Sequence, residues 1–202
     1  MIIDFSQLKP SQIYKTMIQT VIPRPIAWTL TENDNESFNL APFSYFNAIG
    51  SNPPMVSLSI GKRKDGSDKD TKRNIEQRQY FTVHIPSVES AQLVTDSAKG
   101  LNPNVSEVSE LALDLVNENT KTPRLKDCKV AYFCKLEKII ELGNAPQSLI
   151  IGLVESIYVA DDCVNANDGI YEIDAAAINP LGRLGGSDYC TFGKAFTIHP
   201  SP

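Results

Sequence analysis

Asn39-Leu40-Ala41-Pro42-Phe43-Ser44-Tyr45-Phe46-Asn47 is the stretch on which the rest of the chain turns. It sets apolar rings, two carboxamides, a serine and a chain-stiffening proline directly after a strand-like segment. Proline donates no ladder hydrogen bond and restricts the residue before it, so a regular central strand is not expected to continue through position 42. Two readings are open. The stretch is an edge strand leaving its sheet, since aromatic runs are commonly core, or a loop that lays backbone amides along a flat aromatic ligand.

Working outward, Pro23-Arg24-Pro25 punctuates the chain, and Ile26, Trp28 and Leu30 then alternate with Ala27, Thr29 and Thr31 as a first strand. The run 32–36 is turn-like, and 37–40 returns as a second strand. Upstream, Ile13, Tyr14, Met17 and Ile18 share a helical stripe over 11–18, with Ser11 as the expected N-cap of a helix that closes one end of a barrel. Downstream, Val56, Leu58 and Ile60 alternate in another strand. The polar run 70–79 predicts a short exposed helix, and 80–85 is a further strand ended by Pro86. A helix follows from Ser87 towards Gly100. Within 102–123, Val108, Leu111, Ala112 and Leu115 have helical spacing, in what reads as an excursion outside the barrel. Residues 128–142 and 148–159 form a long predicted hairpin.

Strands with short helices inserted between hairpins, and no regular β-α-β alternation, predict a mainly β fold built as a closed antiparallel barrel. No G-x-G-x-x-G follows a strand, so a Rossmann nicotinamide domain is not expected.

The 202 residues fall in the range of a single domain, expected over 1–202, with 42% hydrophobic and 21% charged residues. A net charge of -5 argues against nucleic-acid binding. Met1-Ile2-Ile3-Asp4-Phe5 has no basic n-region before a long apolar run, and no segment approaches the ~20 apolar residues of a membrane span, so a cytoplasmic protein away from the membrane is expected. Cys128, Cys134, Cys163 and Cys190 form no C-x-x-C pair, which points to free, mostly buried thiols and away from zinc. Of the two histidines, His199 is three residues from the end, and His84 is expected on the more polar face of its strand.

Ser67-Asp68-Lys69-Asp70-Thr71 precedes the helix predicted at 70–79, where free N–H groups and the helix dipole favour an anion. Lys69 with Thr71 makes a phosphate clasp. The alternative is a solvated loop in which Asp70 or Thr71 caps the helix. Taken with 39–47, the two segments offer a phosphate end and an apolar, backbone-lined ledge, the two ends a flavin mononucleotide needs. Ser44 is placed to meet the polar edge of such a ring, and Phe43, Tyr45, Phe46 or Trp28 its apolar edge. Arg24 and Arg183 are the candidates for a positive group that stabilises the reduced ring, though each is alternatively a surface residue.

In these segments the sequence resembles the flavin reductase-like FMN-binding split barrels, and within them the flavoredoxin-type branch. The resemblance covers nearly the whole chain. It is carried by Arg24-Pro25-Ile26-Ala27-Trp28, by Asn39 to Phe46, by Lys69-Asp70-Thr71 with Asn74, by Gly152-Leu153-Val154, and by Pro180 to Gly186 with Tyr189.

The resemblance implies a six-stranded antiparallel split barrel of Greek-key type, forming a homodimer that binds FMN at the subunit interface. Ala41, Pro42, Phe43, Ser44, Tyr45 and Phe46 would line the ring, while Lys69, Asp70 and Thr71 approach the phosphate. Arg183 and Tyr189 would close the site, from the same or the other subunit. Related reductases take hydride from NADH or NADPH onto flavin N5 and pass electrons to a monooxygenase, as released reduced flavin, or to a redox protein. Many of them carry a Gly-Asp-His-type turn that helps place the nicotinamide, where this chain has Asn144-Ala145-Pro146-Gln147-Ser148. The expectation is an NAD(P)H:flavin reductase. Its alternatives are a flavoredoxin-like electron carrier reduced by another protein, and an FMN-free barrel serving as a scaffold.

Overall fold

The computed structural model describes residues 1–144 and 147–201. Its elements in chain order are α1 (Pro10–Thr20), β1 (Ala27–Glu32), β2 (Phe38–Phe43), β3 (Phe46–Ser51), β4 (Pro54–Gly61), α2 (Asp70–Arg78) and β5 (Tyr80–Ile85). There follow α3 (Ala91–Asp96), α4 (Glu107–Glu110), β6 (Leu115–Val116), β7 (Arg124–Leu125), β8 (Val130–Leu142) and β9 (Gln147–Val159). The hairpin β10 (Val164–Asn167) and β11 (Ile170–Ile173), then α5 (Ala175–Ile178), β12 (Gly182–Arg183) and β13 (Tyr189–Cys190), complete the chain.

The main sheet has seven strands in the order β2-β1-β5-β8-β9-β4-β3, all antiparallel. Its two edge strands are consecutive in sequence. β2 pairs with β1 as far as Ala27↔Phe43, and β3 takes up pairing with β4 from Phe46↔Leu58. Between them the carbonyl of Tyr45 accepts from the Ser59 N–H at 2.9 Å. One bent strand therefore supplies both edges and closes the barrel. Counted as one, it restores the six expected strands, and the β1–β5 and β9–β4 pairings give the Greek-key order.

Pro42 corrects the expectation drawn from it. The strand does run through position 42, with Pro42 opposite Trp28. β2 is an edge, so the missing N–H disturbs no second neighbour. The break comes two residues later, at Ser44 and Tyr45.

The barrel interior is filled by Ala27, Phe43, Val56, Leu58, Ile60, Phe81, Val83, Cys134, Ile150 and Val154, with Ile75 of α2 added. Gly152 lies where β9 passes Phe81: a Cβ there would stand 2.6 Å from the Phe81 ring. A second cluster covers the outside of β1 and β2, where Trp28, Leu30 and Leu40 meet Val94, Val108 and Leu125. β1 is thus buried on both faces. The Trp28 indole N–H donates to Ser97 Oγ at 2.8 Å beneath α3.

Several local expectations change. Lys9, not Ser11, occupies the N-cap of α1, where its N–H donates to Gln12 Oε1 at 2.9 Å and Pro10 starts the helix. Only Ile18 of the α1 stripe is buried; Tyr14 and Met17 are exposed. α2 is exposed as expected only at its end, Glu76 to Arg78; Asp70, Thr71, Lys72 and Asn74 in its first turns are buried. Asn74 donates to Thr31 Oγ1 and Asn33 Oδ1 at 3.1 and 2.8 Å, and Lys72 pairs with Asp68 and Glu141, each at 3.2 Å. Within 102–123 the helix shrinks to α4, and Leu115 joins β6 against β7. As expected, that segment lies outside the barrel, where Val108 and Leu115 pack on the cluster over β1 and β2.

His84 is fully buried. Its Nε2 accepts from the Leu125 N–H at 2.9 Å, so Nδ1 carries the proton and donates to the Trp28 carbonyl at 2.9 Å. A neutral ring with both nitrogens satisfied is tolerated where a polar face was expected. No helix of the described residues is long and apolar enough to cross a membrane.

Candidate functional site

The bend between β2 and β3 opens a cleft on the barrel. Its larger cavity, about 350 Å³, has Pro42, Phe43, Ser44 and Tyr45 along one wall, with Lys69, Arg183 and Tyr189 also lining it. That volume suits a small-molecule site, for which ~300–1,000 Å³ is usual. A smaller cavity of about 170 Å³ continues past Phe43 and Lys69 to Asn39, Thr71, Arg63 and Lys99. Pro42, Phe43, Lys69 and Ala98 line both. The two form one elongated cleft, with a ring-shaped ledge at one end and a cationic end at the other.

The ledge is set by the bend. Ser44 lies in neither strand register. Its hydroxyl accepts from Arg24 Nε at 3.2 Å, and further along the wall Gln147 Nε2 donates to Ser59 Oγ at 2.8 Å. Tyr45 faces Tyr14 with ring centroids 6.5 Å apart, and burial, then Tyr14, pushes the Tyr45 phenol above its ordinary pKa.

The cationic end is set by the start of α2. Lys69 occupies the N-cap without a side-chain cap to serve the first-turn N–H groups. Its Nζ sits 5.4 Å from the Phe43 ring centroid. Burial, then the neighbouring Arg63, lowers the Lys69 pKa. Asp70 is buried and pairs with Arg63 and, at 2.6 Å, with Arg73. Thr71 Oγ1 accepts from Asn39 Nδ2 at 2.9 Å, and the same amide donates to Thr31 Oγ1 at 3.1 Å. Glu107 Oε2 accepts from the Leu40 N–H at 3.0 Å; burial raises its pKa, with Asp70 adding to the effect.

The structure therefore brings together Asn39, Ala41, Pro42, Phe43, Ser44, Tyr45, Lys69, Thr71, Arg183 and Tyr189 in a single chain's cleft. Four candidates fall elsewhere. Trp28 is sealed in the outer cluster, Asn74 in the polar end of the barrel, and Phe46 packs against the interior cluster. Arg24 is buried and spends its guanidinium on Ser44, Ile18, Val21 and Leu184, so it shapes the cleft without lining it. Asp70 lines the smaller cavity as a holder of arginines, since a carboxylate repels a phosphate.

Residues missed in the sequence include Arg63, Lys99 and Gln147. None of the three gave a signal of its own in the sequence. Ala145 and Pro146, in the loop that lacks the family histidine, lie outside the described residues.

The fold is that of the split-barrel flavin reductases, and the chain belongs to the flavin reductase-like family, whose domain matches residues 19–174. Nitrilotriacetate monooxygenase component B from Bacillus cereus is similar at 32% identity and a TM-score of 0.90, covering 98% of each chain. The Pseudomonas fluorescens 2-nitrobenzoate 2-nitroreductase is similar at 27% identity and a TM-score of 0.87, over 100% of this chain and 96% of that one. The flavoredoxin of Desulfovibrio vulgaris (Miyazaki F) shares the fold at 22% identity and a TM-score of 0.75, over 88% and 91%.

Proposed function

We propose that this chain is an FMN-binding oxidoreductase of the NAD(P)H:flavin reductase type, passing electrons to a monooxygenase partner or a redox protein. The observation that carries this reading is the single cleft joining a ledge walled by Pro42 to Tyr45 to a cationic helix start. The donor set fits the cofactor. Pro42 to Tyr45 offer an apolar wall, Ser44, Ser59 and Gln147 offer polar groups for a ring edge, and Lys69, whose Nζ has no carboxylate partner among the described residues, offers positive charge for a phosphate, with Lys99 nearby in an ion pair with Asp96. Ion pairing of Asp70 with Arg63 and Arg73 removes a repulsion that would oppose that charge.

When bound, the flavin supplies the redox chemistry, taking electrons from NADH or NADPH and yielding them to the acceptor. The chain's own residues hold it and exclude water: Phe43 beneath the cleft, Ile26 and Val94 along its apolar side. The similarity to a monooxygenase component and to a nitroreductase supports a reductase over an FMN-free scaffold. Addition of FMN to the purified chain tests this. Quenching of flavin fluorescence, followed by bleaching with NADH or NADPH, is expected; a chain that ignores FMN is a scaffold.

A specific observation favours the second reading, an electron carrier. Among the described residues neither cavity is lined by a histidine, and His84 has both ring nitrogens bound to backbone. A chain that binds FMN but is bleached by neither nucleotide is that carrier.

The proposal includes a homodimer in the cytoplasm. An apolar hollow of about 860 Å³ over β8, β9 and β11, flanked by exposed Ile157, Ile170 and Tyr171, supports pairing of two copies. Sedimentation as a monomer at micromolar concentration would remove it.

A further inference from the structure

One group of cleft residues comes from outside the β2–β3 bend and the start of α2: Tyr14 from α1, and Arg183 and Tyr189 from the β12–β13 pair. The Arg183 guanidinium lies 4.4 Å from the Tyr189 ring centroid, and Thr95 Oγ1, 3.0 Å from the Tyr189 hydroxyl, fixes that ring. Arg183 donates to the carbonyls of Gly186 at 2.5 Å and Asp188 at 3.5 Å, which steady it but do not neutralise it. Among the described residues no carboxylate pairs with it.

The charge is unusual for its setting. In a chain of net charge -5, the larger cavity is lined, among the described residues, by Lys69 and Arg183 and by no Asp or Glu. Lys69 belongs to the part shared with the smaller cavity, so Arg183 is a separate positive pole on the ring side. Beside it, Tyr14 and Tyr45 present rings that are 57% and 39% exposed. A planar guanidinium matches a carboxylate through two parallel hydrogen bonds, and tyrosine faces and edges favour an aromatic ring.

We propose that the ring-side cavity takes, in addition to the flavin, a planar aromatic carboxylate, its carboxylate paired with Arg183 and its ring against the tyrosines. This deepens the flavin-site reading and rests on it.

The test titrates benzoate, and its uncharged isostere benzamide, into the full chain saturated with FMN, by calorimetry. FMN affinity is measured separately by fluorescence quenching, so that failure of the flavin reading is seen on its own. The native chain is expected to bind benzoate at least tenfold more tightly than benzamide. In Arg183→Ala that ratio falls to about one. Arg183→Gln, which keeps a donor for the Gly186 carbonyl, gives the same collapse and excludes a loss of loop structure. Equal affinities in the native chain, or a ratio that survives in either variant, would overturn the proposal even if FMN binds.

Discussion

Arg24 Nε donates to Ser44 Oγ at 3.2 Å, and the same guanidinium reaches the carbonyls of Ile18 and Val21 in and after α1 and of Leu184 before β13. One buried side chain thus ties the ledge to two segments that carry the other walls of the cleft. Arg24→Lys retains the charge but has a single nitrogen to offer four acceptors on three segments. It is expected to lose about 2–4 kcal/mol of stability, in line with breaking a buried network, and to weaken FMN binding through Ser44. Urea unfolding and FMN titration of the variant check both effects.

Lys69 is the cation common to both cavities. A charge-assisted phosphate contact contributes roughly 1.5–3 kcal/mol, so Lys69→Ala is expected to raise the FMN dissociation constant on the order of tenfold to a hundredfold. Riboflavin, which lacks the phosphate, is expected to bind native chain and variant alike. A fluorescence titration with each flavin separates the phosphate contact from any general loosening.

Thr71 is tied at the cationic end of the cleft to Asn39. Its hydroxyl accepts from buried Asn39, so Thr71→Val leaves an amide donor with one partner fewer, at a cost of about 1–2 kcal/mol. Urea midpoints check this; the loss is expected with or without FMN.

His84 has a pKa lowered to about 4, first by burial, against which the hydrogen bond to Trp28 acts only in part. Above about pH 6.5 the ring is neutral in both folded and unfolded chains and carries no penalty. As the pH falls from about 6.5 to 4, the unfolded chain takes up a proton that the folded chain refuses. Stability therefore declines, by roughly 3 kcal/mol in all, and levels off below the folded value. The pH dependence of unfolding in the native chain, less that of His84→Gln, is expected to show this window.

Gly152 faces a fully buried Phe81 ring that a Cβ would meet at 2.6 Å. Gly152→Ala is expected to destabilise the barrel by about 1–3 kcal/mol, read as a lower urea midpoint with an unchanged slope.

The strands were legible because their alternation survives in the structure. Val56, Leu58 and Ile60 are buried in register, and the hairpin at 128–142 and 148–159 corresponds to β8 and β9 within two residues. What was not legible is the burial of polar residues. α2 reads as a solvated helix because Asn74, Thr71 and Lys72 are polar, yet each finds its partner far away in sequence, in Thr31, Asn39 or Glu141. Trp28 was placed at the site because period-2 patterning does not say which face of a doubly buried strand meets a cleft, and Asn74 was placed there by the resemblance alone. Lys69, Ser44 and Arg183 were legible as chemistry. Arg63 and Lys99 were not, because the chain brings them to the cationic end only when the loops around α2 and α3 close.

The most direct test of the central claim is a visible absorption spectrum of the purified chain with added FMN, repeated anaerobically after NADH and then NADPH. A protein-bound flavin band that either nucleotide bleaches is the expected result; a spectrum identical to that of free FMN mixed with an inert protein would contradict it.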